Sequence, residues 1–431
     1  MSLRHTSFLL LLFPFLAAGA QDFHQSNTDE SKVPPYTLPD VLKMPDGKEV
    51  HTAAQWQHTQ RPYVFHLFEE NVYGKFPRTP VSMRSKVMST DEHALNGTAI
   101  RKLVDIYFNN DTSAVIHLLM YLPRTPRPAP VFLGMNFFGN QCVSNDPAIP
   151  ITEKYTINGS GVVNNHVTVA SRGSQAERWQ VDTLLAHGFG LVTFFYGDVE
   201  EDYPEGWKQG FRTKLRTALK TAPEEWSAIG AWAWALSRVM DYLQTDPRVN
   251  ARQVCLNGHS RLGKTALWAG AADPRFAIVI SNESGEGGAA LARRWYGETM
   301  PIINDHFPHW FNSQYKQYST HINDMPVDQH MLLALIAPRP LYVASAEGDQ
   351  WSDPKGEFLS AWHAGVVYKL FGEKAIGSDQ YPAVHQPVGD WVRYHVRAGK
   401  HDVTIYDWQQ YIAFAERFFP RKGAKKQSSK D

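Results

Sequence analysis

The chain has 431 residues, and its 43 Lys plus Arg are balanced by 43 Asp plus Glu. A formal charge of zero excludes electrostatic capture of nucleic acid or of an anionic membrane as the organising function. With 43% hydrophobic residues, 13 Trp and only two cysteines, the composition is that of a globular protein with a large core, not of a disulfide scaffold or a disordered chain.

The first twenty residues combine a cation at Arg4, an apolar run from Phe8 to Ala17 and the small residues Ala18, Gly19 and Ala20. This reads as a cleavable secretory signal over residues 1–20, so the mature protein is expected to be exported, secreted or periplasmic. No later run reaches the roughly 18 apolar residues of a membrane helix. Residues 21–50 are polar and read as an extended segment, 51–420 as one catalytic domain, and 421–431 as a basic solvated tail.

Within the domain, Trp56, Tyr63, Val64, Leu67, Phe68 and Val72 recur at helical spacing, which predicts a helix over Thr52 to Tyr73. Alternation predicts an antiparallel strand pair over 98–108 and 114–122. The continuous apolar run 130–137 predicts a strand buried on both faces. Residues 140–175 lack periodicity, and so long a loop is expected to form part of a substrate cleft. Helix and strand then alternate: helix 176–187, strand 189–196, helix 224–244, strand 276–280, helix 328–335, strand 340–346, helix 354–370 and a last helix over 406–418. This order implies an α/β fold, a mostly parallel central sheet with helices on both faces, with no repeat and no linker. Cys142 and Cys255 are expected as two free or buried thiols.

The decisive stretch is RQVCLNGHSRLGKTALWA, a short apolar strand, a glycine-bounded turn holding Ser260, and an alanine-rich helix. Two templates fit it. Gly258, Gly263, Lys264 and Thr265 spell the phosphate loop G-x-x-x-x-G-K-T, whereas Gly258, Ser260 and Gly263 resemble a nucleophile elbow. A phosphate loop favours small residues between its glycines and needs a following strand that ends in an aspartate for magnesium. Here the interval is His259, Ser260, Arg261 and Leu262, and the next strand runs into Ser281, Asn282 and Glu283. An exported protein also meets little ATP. The elbow is therefore preferred: Ser260 is lifted out of the sheet and the helix N-terminus favours negative charge beside it.

A serine hydroxyl needs a histidine to take its proton and a carboxylate to orient that histidine. In hydrolase order, Ser then acid then His, the acids are Glu283 in SNESGEGG and Asp349 in EGDQWSDP. Among 18 histidines, His385 in the AVHQP loop follows both acids and is the expected base. His395, inside an alternating run, and His401, just before the last helix, are its rivals, though each reads more readily as structural. Glu283 is given the main role and Asp349 a secondary one. Arg261 offers a cation and a backbone N–H to an oxyanion, to which the end of the 130–137 strand, MNFFG, is expected to add another. No His, Asp and Glu group has metal-ligand spacing, and the pair His306 and His309 reads as one face of a helix.

Generic lipases place glycine at the position of Leu262, one residue earlier than Gly263. The pattern G-x-S-R-x-G-K instead closely resembles the elbow of the glucuronoyl esterases, carbohydrate esterase family 15. The resemblance extends over FEENVYGKFP, SNESGEGGAALARRWYGE, EGDQWSDPKGEF, AVHQP and YHVRAGKHDVTIYDWQQYIAFAERFF, and is to the bacterial branch. Fungal members carry cysteine where this chain has His259, so the disulfide expected there is absent. The resemblance implies an α/β-hydrolase fold and hydrolysis of the ester between 4-O-methyl-glucuronic acid on xylan and a lignin alcohol, with no metal or cofactor required. It further implies that Lys264 and Glu298 hydrogen-bond sugar hydroxyls and that Trp351 faces the glucuronoyl ring. By the residues alone, Lys264 equally suits a solvated helix and Trp351 a core. The expected partner is the glucuronoxylan–lignin ester itself, and a monomer is expected. Other readings on the same fold are an acetyl-xylan or cinnamoyl esterase and a glycan-binding protein without turnover.

Overall fold

The computed structural model describes residues 25–419, so the expected signal segment and basic tail lie outside the described residues. The chain builds a central sheet from β1 (Met83–His93), β2 (Ala99–Phe108), β3 (Asp111–Pro123), β4 (Ala129–Asn136), β7 (Gly190–Phe195), β8 (Val249–His259), β9 (Ile278–Asn282), β10 (Leu341–Ala346), β11 (Val388–Gly389) and β12 (Val392–Arg397). The remaining strands, β5 (Val162–Val163) and β6 (His166–Val167), form a small separate hairpin. The spatial order is β1-β2-β3-β7-β4-β8-β9-β10-β12-β11. Strands from β7 to β12 run parallel, while β1, β2 and β3 form an antiparallel extension and β11 closes the far edge antiparallel.

Burial explains which strands the sequence announces. Every residue of β7, β9 and β10 is buried, because helices cover both faces of the sheet there, and such strands are apolar runs without alternation. β1 is the opposite case. Its sequence MRSKVMSTDEH has no buried residue, and its charges keep an open sheet edge from pairing further. Nothing in its pattern predicts a strand.

Most expected helices form close to their expected bounds, and the departures have local causes. The 224–244 helix begins only at Ala228, where the Ser227 hydroxyl accepts the Gly230 amide at 3.1 Å, and it ends at Leu243. The preceding Pro223–Glu225 is a separate turn. The 176–187 helix is broken at Gln180, which adopts φ 44°. The first helical run, Ala53 to Tyr73, docks on the helix Arg261–Ala272 through stacked rings: Trp268 lies 4.6 Å from Phe65 and 4.8 Å from Tyr73. Emptying such a buried aromatic site costs about 3–5 kcal/mol, so this contact fixes the helix that carries the elbow. Cys142 and Cys255 are both free and buried, as expected. No helix among the described residues is long and apolar enough to cross a membrane.

Candidate active site

The loops that follow β8, β9, β10 and β12 at their C-terminal ends converge on the turn between β8 and the helix Arg261–Ala272. Ser260 sits there with φ 56° and ψ −129°, a strained conformation for a residue with a side chain. Its amide donates to the Asn282 carbonyl at 2.9 Å, and its carbonyl accepts from Gly263 at 2.8 Å, so both flanks hold the strain in place. The two glycines are steric necessities. A Cβ on Gly258 would lie 2.0 Å from the Leu262 carbonyl oxygen, and one on Gly263 would meet the Ser284 Cβ at 3.0 Å. The close approach to the neighbouring loop falls on Gly263, which is why Leu262 can replace the usual glycine one position earlier.

The histidine brought to this turn is His401. Its Nδ1 donates to Asp349 Oδ2 at 2.6 Å and lies 3.1 Å from Glu283 Oε2, and its ring centroid is 4.4 Å from that of His259, the residue before Ser260. Burial works against the imidazolium, but the bonds to Asp349 and Glu283 outweigh it and hold the His401 pKa up at about 9. Asp349 is disfavoured as an anion by burial, yet the bond from His401 keeps its carboxyl below the ordinary value. Glu283 is pushed up to about 7 by burial, against the pull of His401 and Arg397. Arg397 donates to Glu283 Oε1 at 2.5 Å and to Asp407 Oδ2 at 2.8 Å, while the Asp402 amide donates to Glu283 Oε2 at 3.0 Å. The acid is thereby tied to the strand and loop that carry His401.

This corrects the assignment of His385. That residue is exposed, accepts the Ala398 amide on Nε2 at 3.2 Å and packs on Tyr406 at 4.5 Å. It precedes β12, whereas the site is built from loops that follow the C-terminal ends of strands, and His401 lies four residues beyond the end of β12. His395 is structural, as expected: inside β12 it bonds Asp407 at 2.9 Å and the Tyr342 hydroxyl at 2.9 Å.

Arg261 turns its guanidinium onto Asp202 and lies 4.5 Å over the Trp310 ring and 5.3 Å over Phe307. Asp202 also accepts from Trp310 Nε1 at 2.7 Å, from His309 Nε2 at 2.8 Å and from the Tyr196 hydroxyl at 3.1 Å. Burial opposes its ionisation, but Arg261, His309 and Trp310 prevail and hold it well below the usual carboxylate range. The Arg261 Nε is buried with no hydrogen-bond partner in the protein, a donor left over beside Ser260. Phe137, at the end of β4, closes this side, 5.9 Å from Arg261 and 6.1 Å from His259.

One turn along the helix, Lys264 is buried, with its Nζ 2.5 Å from the Ser284 carbonyl and 3.8 Å from Glu298. Burial lowers the Lys264 pKa, and it raises that of Glu298, which Lys264 and a Trp351 side-chain hydrogen bond oppose. The Glu298 amide donates to the Trp351 carbonyl at 2.8 Å, and the Trp351 ring is 44% exposed, so the aromatic face is free to be covered by a ligand. Lys264 is neither a solvated helix residue nor a phosphate-loop lysine: it is folded inward onto a carbonyl and a carboxylate.

Sequence reasoning missed Asp202, His309, Trp310 and Arg397. His309 is not on a helix face with His306; the helix Met300–His306 ends before it and a turn aims it at Asp202. Only the alternation Asp198, Glu200, Asp202 after β7 hinted at buried acids in that loop.

Comparison with known proteins gives the family of the whole chain. The family model described as "Glucuronyl esterase, fungi" matches residues 180–372. A solved glucuronoyl esterase from Solibacter usitatus is 51% identical, with a TM-score of 0.85 over 90% of this chain and 99% of that one. A promiscuous CE15 esterase from a marine bacterial metagenome is 44% identical, with a TM-score of 0.85 over 91% of this chain and 99% of its own. The chain belongs to the glucuronoyl esterases of carbohydrate esterase family 15. It is a carboxylic ester hydrolase with an α/β-hydrolase fold. A curated relative, the 4-O-methyl-glucuronoyl methylesterase 1 of Wolfiporia cocos, is 25% identical over 86% of this chain and 82% of its own length. The nucleotide-binding reading of the elbow is thereby set aside.

Proposed function

We propose that this glucuronoyl esterase hydrolyses the ester between 4-O-methyl-glucuronic acid side groups of glucuronoxylan and lignin alcohols, with Ser260 as nucleophile and His401 as base. The observation that carries the reading is the His401 ring, held by Asp349 and Glu283 and tilted against His259, the residue before the strained Ser260. In this scheme neutral His401 takes the Ser260 proton as the hydroxyl attacks the ester carbonyl. Asp349 and Glu283 fix the ring with Nδ1 protonated and stabilise the imidazolium that forms. The oxyanion gathers at the N-terminus of the helix Arg261–Ala272, where the helix dipole favours negative charge and the Arg261 guanidinium is anchored by Asp202. His401 then protonates the departing alcohol, and water, activated by the same ring, releases the uronic acid.

The acyl side is assigned to Lys264, Glu298 and Trp351. A buried ammonium and carboxylate 3.8 Å apart offer a donor and an acceptor to neighbouring sugar hydroxyls, and the exposed indole supplies a flat face for the pyranose ring. The signal-like first twenty residues support export, where such a substrate is met.

The test is hydrolysis of benzyl glucuronate beside an aryl acetate, by the mature protein and by Ser260→Ala. Release of glucuronic acid that falls by on the order of 10⁴-fold or more in the variant is expected. Turnover of the acetate alone would keep the nucleophile and overturn the substrate. No turnover of either would leave the glycan-binding reading.

A further inference from the structure

His259 has no part in the scheme above, yet it is placed and oriented for a purpose of its own. It ends β8 immediately before Ser260, and its ring is buried. Asn282 donates through Nδ2 to the Tyr411 hydroxyl at 2.9 Å, which turns its Oδ1 towards His259 Nδ1 at 2.6 Å. An amide oxygen there requires the proton on Nδ1, so the lone pair of the ring lies on Nε2. A histidine whose one nitrogen donates to a fixed carbonyl while the other is left as an acceptor is the arrangement that orients metal ligands.

Two further residues stand near this ring. His259, Glu283 and His401 each offer one ligand atom, and these atoms all lie within 4.8 Å of one another. A tetrahedral zinc ion, with nitrogen and oxygen donors at roughly 2.0–2.2 Å, needs them about 3.3 Å apart. The difference is within reach of a ring rotation by His401, which stands on a loop and whose side chain is 39% exposed. Two imidazoles and one carboxylate, with a position left open, form a donor set that suits zinc and its neighbours and suits magnesium or calcium poorly. The three residues span the sequence from 259 to 401, so no local spacing announces the group.

We propose that His259, Glu283 and His401 form an inhibitory site for zinc or a similar imidazole-seeking divalent cation. The ion takes up a ring nitrogen of His401 and holds that ring away from its work as a base, so the esterase is switched off while the ion is bound and restored when a chelator removes it. Two cations oppose the ion: Arg397 on Glu283 at 2.5 Å, and Arg178, paired with Asp402 at 2.5 Å, whose charge is felt at His259. They make the expected affinity weaker than that of a structural zinc site. Binding stands apart from the proposed reaction, and only the inhibition rests on it.

The experiment uses the metal-stripped mature protein, titrated with zinc chloride against a chromogenic zinc indicator and with cobalt chloride for the visible bands of a low-symmetry cobalt centre. One equivalent is expected to bind, and His259→Ala and His401→Ala are each expected to weaken it on the order of 100-fold. His385→Ala, on an exposed ring away from the group, is expected to bind as the parent does. Thermal melts establish that the variants are folded, and His401, being on a loop, provides the variant least able to disturb the core. Benzyl glucuronate turnover is expected to fall with the same zinc midpoint and to return with EDTA. Absence of binding at millimolar zinc, parent-like affinity in both histidine variants, or undiminished turnover with the site filled would overturn the proposal. Zinc binding without any esterase activity would keep the cation site and sink the proposed reaction, whereas turnover without zinc binding would do the reverse.

Discussion

His401 Nδ1 faces two carboxylates, at 2.6 Å from Asp349 and 3.1 Å from Glu283, so the orienting role is divided and the division is measurable. Both anions stabilise the imidazolium, which is why the His401 pKa is held up at about 9 against the partial desolvation of the ring. A base must be neutral to act, so kcat/KM is expected to climb with pH well above the ordinary histidine range. Removing one anion weakens the hold on the proton, and the acid limb of the profile then moves to lower pH. Asp349→Asn is expected to move it further than Glu283→Gln, because Asp349 has the shorter bond and Glu283 is also engaged by Arg397. Each single variant is expected to lose roughly 10- to 100-fold in kcat, since the other acid still fixes the ring, and the double variant is expected to approach the ~10⁴-fold loss of a triad without its acid. Profiles of kcat/KM against pH for the three variants decide this. An acid limb that stays where it is in both single variants would sink the shared-acid account.

At the scale of elements, the N-terminal segment acts as a strap on the wall that carries Trp351 and Glu298. The Asn27 carbonyl accepts the Gly297 amide at 2.7 Å, the Ser26 hydroxyl donates to the Gly297 carbonyl at 2.8 Å, and Glu30 pairs with Arg294 at 2.6 Å and Lys355 at 2.9 Å. Gly297 stands next to Glu298 and takes φ +66°, and a Cβ there would strike the Trp351 carbonyl at 2.3 Å. A protein shortened to begin at Val33 is therefore expected to keep its kcat while KM for benzyl glucuronate rises on the order of fivefold, the equivalent of about 1 kcal/mol of lost positioning. An equal loss in kcat would mean that the strap supports the whole fold and not this wall. Nothing in the polar composition of residues 21–50 foretold that contact, because it depends on partners more than 250 residues away. The same distinction governs the rest of the sequence reading. Where local pattern decides, in the buried strands, the elbow and the helix Pro354–Leu370, residues and structure agree closely. By chain order alone His385 reads as the base because it follows both acids, whereas the fold brings His401, after β12, to the Ser260 turn, and β12 shows in the sequence only as the alternating run around His395. Asp202 and Arg397 carry no local signal because their partners come from distant parts of the chain.

For the whole molecule, the buried histidines, such as His330 held down at about 4, make stability rise with pH up to about 6.5, whereas the carboxyls raised by burial work the other way and prevail above it. Burial raises Asp198 to about 6, Glu283 to about 7 and Glu286 to about 8. Between about pH 4, where such carboxyls ionise in the unfolded chain, and these values, the native state holds protons that the unfolded state has released, so the stability they contribute declines as pH rises. His401 acts in the same sense. Its stabilising contribution is complete below about 6.5, the unfolded histidine value, and is lost as pH passes through about 9. Asp202, Asp349 and Asp407, all held below the ordinary carboxylate value, act only at the acid end, where their contribution disappears as pH falls through their folded pKa. The melting temperature is thus expected to fall steadily from about pH 6.5, where the buried histidines cease to titrate in the unfolded chain, to about pH 9. Glu286→Gln, whose amide oxygen can still accept the Tyr315 hydroxyl bond, should flatten part of that fall, since an amide has no proton to release. Calorimetric melts at constant ionic strength, parent beside variant, check it, and a melting temperature that is level or rising across that window would contradict the assignment. Because the base gains activity over the same pH range in which the fold loses stability, the fastest pH in a short assay should lie above the best pH in a long incubation.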